Sequence, residues 1–129
     1  MNDTLDFGIK DKVAIVAGGG AIGLDIGNGR AASILLAEAG AKVIVADKDE
    51  ELANNTVQMI ESRGGEAISI GGDLTKSDQC KKVVALALNS WGRLDILDNN
   101  IGIASRFSVV EETEEYWNEI MEVNLKPMF

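Results

Sequence analysis

An α/β fold built on a doubly wound parallel sheet is predicted from three observations. Apolar strand-like runs alternate with segments of helical spacing from Val13 onward, a glycine-dense loop joins the first strand to the first helix, and the second strand ends on the acidic Asp47. Strands alternating with helices of this length imply right-handed crossovers and a parallel sheet covered on both faces. The element order reads βαβαβαβα.

The first strand is VAIVA, Val13 to Ala17, and the loop from Gly18 to Gly29 carries six glycines. Such density lets the backbone turn sharply and approach a ligand closely. The segment RAASILLAEAG, from Arg30, has Ala, Leu and Ile at helical spacing and closes on Gly40 as a C-cap. Its N-terminus therefore points at the loop, where free N–H groups and the positive end of the helix dipole favour a pyrophosphate. AKVIVAD supplies the second strand. Asp47 lies twenty residues after Gly27, near the separation expected for a carboxylate that accepts hydrogen bonds from an adenosine ribose. A free 2′-hydroxyl donates to it, whereas a 2′-phosphate is repelled, so the reading is NAD rather than NADP. Lys48 beside it weakens that repulsion. Glycine-rich turns between a strand and a helix also occur in α/β proteins that bind no dinucleotide; the combination with the terminal acid carries the reading.

Asp49 caps a helix over Glu50 to Arg63, in which Leu52, Thr56, Met59 and Ile60 share one face, and Gly64-Gly65 ends it. EAISIGGD reads as a short third strand. Thr75 with Asp78 is expected to form a capping box for the next helix, whose Cys80, Val83, Val84, Ala87 and Trp91 recur at helical spacing. Trp91 reads as a core plug. RLDILDNNIGI is a fourth strand, Leu94 to Asp98, running into a turn, and Thr113 opens a last helix, EEYWNEIMEVNL.

Composition limits the functional classes. The chain has 129 residues, 46% hydrophobic and 26% charged, which is an ordinary globular balance with room for one domain. A net charge of −9 without any His argues against nucleic acid or an anionic membrane surface as partner, since both require a basic field. One cysteine, Cys80, excludes an internal disulfide and supplies no metal cluster. The polar N-terminus lacks a signal-peptide core, and no apolar run approaches the length of a membrane span. The expected location is cytoplasmic, so Asn2 and Asn54, which each begin an Asn-x-Thr triplet, are expected to carry no glycan.

KVAIVAGGG, the acid in VIVAD, the GDLT segment, LDILDNNIG and MEVNLKPMF fall in the order and spacing of the short-chain dehydrogenase/reductase family, and the chain resembles that family from Asp11 to Phe129. The loop AGGGAIGLDIGNGRA resembles a subgroup reading approximately TGxGSIGxGxGNG(K/R)A. The resemblance implies a Rossmann-type domain, residues 1–129, of about four strands in the order 3-2-1-4 and incomplete relative to the family. It implies that Gly18, Gly23, Ile26 and Gly27 line the pyrophosphate path and that Asp47 holds the adenosine ribose. Asp73 and Leu74 would flank the adenine, and Asn100 and Gly102 would lie beside the cofactor ribose. Asn99 would knit neighbouring strands through its amide. Plain turn chemistry is the alternative for Asn99 and Asn100. Asn124 corresponds to the family's active-site asparagine, which interrupts a helix and helps hold a water in the proton relay. Two positions depart from the pattern: Ala17 stands where the family has Thr, and Asp25 where the subgroup has Gly. A carboxylate about 5 Å from a diphosphate costs on the order of 1 to 3 kcal/mol, whereas one pointing to solvent costs little.

Hydride transfer in the family uses a Tyr, a Lys four residues later and a Ser, all beyond the position of Asn124. The only tyrosine here is Tyr116, with Ile120 four residues later, so these 129 residues contain no such pair and Tyr116 reads as packing. The expected function is therefore the NAD-binding portion of a short-chain oxidoreductase acting on an alcohol or carbonyl. The alternatives are a non-catalytic nucleotide-binding or assembly module, or a different doubly wound protein that binds flavin or phosphate. With the fourth strand at a sheet edge, self-association into a homo-oligomer through that edge or the last helix is also expected.

Overall fold

Val, Ile and Ala runs that are apolar on both faces suit a parallel strand covered by helices on each side, and such runs form the centre of the sheet. The computed structural model describes residues 7–129, so Asn2 lies outside the described residues. Four strands, β1 (Val13–Ala17), β2 (Lys42–Asp47), β3 (Glu66–Gly71) and β4 (Ile96–Asn99), pair in parallel in the order β3-β2-β1-β4. This is the expected 3-2-1-4 sheet. The helices are α1 (Asn28–Glu38), α2 (Glu50–Glu61), α3 (Ser77–Trp91) and α4 (Glu114–Asn124), followed by a 3-10 turn, Lys126–Met128.

Alternation along the strands divides the core into two layers. Val16, Val43, Val45 and Ala67 face Ile34 and Ala37 of α1 and Ala53, Val57 and Ile60 of α2. Val13, Ile15, Ala17, Ile44 and Ala46 face Leu74 and α3 through Val83 and Ala87. Cys80 and Trp91 pack at the margin of this second layer. The Trp91 indole donates to Glu66 Oε1 at 2.7 Å, so its polar end stays satisfied while the ring is partly buried.

Several element ends differ from the sequence reading. Helix α1 begins at Asn28 rather than Arg30, taking Gly29 into its first turn. Its C-cap is Ala39 rather than Gly40; Gly40 follows in the left-handed conformation, at φ 91°, and the Gly40 and Ala41 N–H groups donate back to the carbonyls of Ala37 and Leu36. The buried face of α2 is Ala53, Thr56, Val57 and Ile60, with Leu52 and Met59 at its border. Val84 of α3 is 39% exposed rather than core. The expected capping box does not form. Lys76 occupies the N-cap position without a side-chain bond, because the Thr75 N–H and hydroxyl both donate to Asp73 Oδ1, at 3.0 and 2.7 Å. Asp49 and Thr113 do cap α2 and α4, accepting from Leu52 and Tyr116 respectively.

Asp95 staples β4 to β1. Its Oδ2 accepts the Val13 N–H at 2.9 Å, and both its oxygens accept from the Arg93 guanidinium. The Arg93 hydrogen bond first, and the Val13 N–H second, hold this carboxyl below the usual carboxylate range. A lowered native pKa means that the contribution is present above the unfolded pKa and is lost as pH falls through the native one. The protection of the Val13 amide, measured against its intrinsic exchange rate at each pH, is therefore expected to fall on acidification below the ordinary carboxylate range. Protection that stays constant through that window would remove the staple.

Beyond β4 the cover thins. Leu97 is 56% exposed, α4 buries no residue, and Leu125, Met128 and Phe129 are exposed nearby.

Candidate functional site

In an open parallel sheet, crossovers leaving a strand in opposite directions open a crevice at the carboxyl ends of the strands. Here the chain passes from β1 to β2 on one side while β4 lies on the other, so the crevice opens above Ala17 and Asn99. A cleft of about 540 Å³ occupies it, within the size range of small-molecule and cofactor sites.

The glycine loop is shaped first by the protein packing on itself. The Gly18 and Gly19 N–H groups both donate to the Ala46 carbonyl, at 2.8 and 3.1 Å, folding the loop over the end of β2. A Cβ on Gly29 would overlap the Gly18 carbonyl oxygen, and a Cβ on Gly18, at φ 80°, would sit 2.8 Å from the Asn100 carbonyl oxygen. These two glycines let the first turn of α1 and the turn after β4 close on the end of β1. Gly27 is the N-cap of α1 and supplies no side-chain bond, so the amides of the first turn face the loop without a side-chain acceptor at the cap.

Asp47 is one residue past the Ala17–Ala46 pair. Its Oδ2 accepts the Gly20 N–H at 2.9 Å and its Oδ1 accepts the Asp49 N–H at 3.0 Å. Each oxygen retains acceptor capacity for a hydroxyl. Asp73 follows β3. The Thr75 hydroxyl first, then the Thr75 N–H, hold its carboxyl below the usual range against a smaller opposing effect of burial, with help from Lys76 and Lys48. It is thus an anion at neutral pH, and both Thr75 bonds fall on Oδ1. Leu74 is buried beneath it.

Across the cleft, the Asn100 N–H donates to the Ala17 carbonyl at 2.8 Å, and its side-chain amide donates to Asp98 Oδ2 at 2.7 Å. Asn99 was expected to knit strands through its amide. It is exposed and makes no side-chain hydrogen bond among the described residues; the Asn100 main chain makes the strand link instead. Asn124 ends α4, and its carboxamide clamps the Ile103 peptide, accepting its N–H at 2.8 Å and donating to its carbonyl at 2.9 Å. A Cβ on Gly102 would lie 3.6 Å from that amide oxygen. The Tyr116 hydroxyl donates to the Ala104 carbonyl at 3.4 Å, and the ring meets Phe107 edge-on.

Six of the expected cofactor residues, Gly18, Asp47, Asp73, Leu74, Asn100 and Gly102, line this one cleft. Gly23, Ile26 and Gly27 do not. Gly23 borders a separate shallow depression with Asn55 and Gln58, and Ile26 is 61% exposed. Lys76 and Glu122 meet at 3.5 Å on the rim of the cleft. Two residues that hold the loop escaped the sequence reading. Arg30 was only the first residue of a helix and Thr56 only part of an apolar face, yet both are fully buried and bond loop carbonyls. A cation at the start of an apolar helix, behind the glycines, was the available sign.

The sequence pattern of the family described as short chain dehydrogenase matches residues 12–129. An uncharacterized oxidoreductase of Thermotoga maritima is 40% identical over 120 residues, covering 93% of this chain and 45% of that protein. A Listeria innocua protein named NAD-dependent glycerol dehydrogenase is 36% identical, over 96% of this chain and 46% of its own length. The crystal structure of a hydroxysteroid dehydrogenase from Escherichia coli superposes with a TM-score of 0.85 at 30% identity, covering 94% of this chain and 49% of that one. The chain thus spans about half the length of the relatives it matches. Among the described residues, no helix is long and apolar enough to cross a membrane.

Proposed function

Because the chain belongs to the short-chain dehydrogenase family, we propose that it binds NAD in the cleft above β1 and β4, as the cofactor-binding portion of an oxidoreductase that interconverts an alcohol and a carbonyl. The observation that carries this reading is the convergence on one cleft of an acidic strand end, the first glycine of the loop and the turn after β4. The donor set fits the group. The Gly18, Gly19 and Gly20 N–H groups are bonded within the protein, so amides of the loop after Gly20 and of the uncapped first turn of α1 are those that suit a diphosphate, and the Asp47 carboxylate suits two ribose hydroxyls. The preference for NAD over NADP rests on Asp47, since a 2′-phosphate there meets a carboxylate.

The coenzyme supplies hydride exchange with the substrate carbon. The chain's own residues bind and orient. Gly18 borders the diphosphate path at the cleft, while Gly23, Ile26 and Gly27, which the family resemblance puts on that path, stand outside the cleft lining; Asp73 and Leu74 flank the adenine, and Asn100 and Gly102 attend the second ribose. Asn124 holds the turn at Ile103 and retains acceptor capacity at Oδ1 for a water. Proton exchange with the substrate oxygen belongs to residues other than Tyr116, which has Ile120 rather than a cation four residues on. A cytoplasmic setting agrees with the lone thiol of Cys80. The thin cover at β4, with Leu97, Leu125 and Phe129 exposed, supports self-association along that edge. Light scattering is expected to give a mass above that of one chain, and a monomer at micromolar concentration would exclude it.

Titration with NAD, NADP and FMN tests the binding claim. NAD is expected to bind most tightly; preference for FMN, or no binding of either nicotinamide coenzyme, would overturn it. Asp25 is exposed; its N–H donates to the Ile22 carbonyl at 3.2 Å and its carbonyl accepts from Arg30, while its carboxylate makes no hydrogen bond among the described residues. Asp25→Gly is expected to tighten NAD by about tenfold if the carboxylate faces the diphosphate. An unchanged constant assigns it to solvent.

A further inference from the structure

The Arg30 side chain is fully buried, and no carboxylate lies within salt-bridge distance of it among the described residues. A buried cation without a counter-ion is costly, and persists where hydrogen bonds replace its water shell. Here they come from the glycine loop. Nη2 donates to the Ala21 carbonyl at 2.7 Å, and Nη1 donates to the carbonyls of Gly23 at 2.8 Å and Asp25 at 2.7 Å. Nε donates to the Thr56 hydroxyl at 3.0 Å, which itself donates to the Gly19 carbonyl at 2.8 Å. One guanidinium and one hydroxyl thus gather four alternate carbonyls, of residues 19, 21, 23 and 25, on the protein side of the loop.

We propose that Arg30, with Thr56 as its relay, is the positioning residue of the diphosphate loop. It turns the loop carbonyls away from the anion, fixes the loop before ligand arrives, and sets an uncompensated positive charge behind it. The inference rests on the dinucleotide reading above. Carbonyl oxygens facing a diphosphate repel it, so drawing them inward removes an electrostatic penalty. Fixing the loop in advance also removes an ordering cost at binding. A planar fork reaches several acceptors at fixed angles, which a lysine ammonium does not.

Arg30→Lys keeps the charge and loses the fork. In the variant without ligand, amide exchange is expected to quicken across residues 19–26 while β1 and β2 keep their protection, and the Kd for NAD is expected to rise at least about tenfold. Thr56→Val is expected to move both readouts in the same direction by less. Thr56→Ser, which keeps the hydroxyl, is expected to match wild type. The Thr56 pair decides the matter should Arg30→Lys fail to fold. Unchanged loop exchange, or unchanged NAD affinity despite faster exchange, would overturn the role given to Arg30. Wild-type protein that ignores NAD would instead overturn the dinucleotide reading and this inference with it, so the wild-type titration tells the two failures apart.

Discussion

Gly29→Ala is expected to cost about 3 kcal/mol of stability or more, the upper range of overpacking a closed site. The added Cβ would overlap the Gly18 carbonyl oxygen, and its next neighbours are also main chain, Gly18 C at 2.8 Å and Gly19 Cα at 3.2 Å. No rotamer relieves a clash between a Cβ and main-chain atoms, so the first turn of α1 must lift from the end of β1. Gly23→Ala is the control. Its Cβ meets nothing within 4 Å, and only its φ of 58° opposes a side chain, at about 1 to 2 kcal/mol. Urea unfolding of both variants measures the difference. Equal losses would show that the contact between Gly29 and Gly18 yields cheaply, and that loop conformation alone explains the glycines.

Asp47→Ala carries the largest expected effect on binding. The carboxylate holds the Gly20 N–H and the Asp49 N–H, and is the acceptor proposed for the ribose hydroxyls. Losing hydrogen bonds to a charged group costs about 1.5 to 3 kcal/mol, so the Kd for NAD should rise roughly ten- to hundredfold. Discrimination against NADP should shrink as well, because the repelling charge is gone. The core of β2 is untouched by the change, and the thermal transition should stay cooperative. Calorimetric titration that returns the wild-type constant would remove Asp47 from the site.

Much of this fold was legible because periodicity and punctuation agreed. The both-face apolar runs at Val13–Ala17 and Val43–Ala46 marked central strands, and Asp49, Thr113 and Gly40 marked helix ends by chemistry that operates locally. Failures came where a local motif had a competing partner. Thr75 had the spacing of a capping box with Asp78, but Asp73 lies nearer and takes both its donors. The site was legible as a grouping, since Asp47, Asp73 and Asn100 stand at strand ends that the parallel order brings to one edge. Hidden from sequence was the reason for the glycines. Gly18 and Gly29 serve contacts between segments that only the closed sheet brings together. Arg30 and Thr56 stayed hidden for the same reason, being 26 residues apart and joined only through α2 packing on α1.

The central claim is that amides of the loop after Gly20 and of the first turn of α1 hold a diphosphate while Asp47 holds the adjoining ribose. A crystal of the wild-type protein soaked in NAD tests it most directly. The account predicts density for the diphosphate against that loop, with the adenosine ribose hydroxyls within hydrogen-bond distance of the Asp47 carboxylate. An empty cleft, or coenzyme bound with its diphosphate away from the loop, would contradict it.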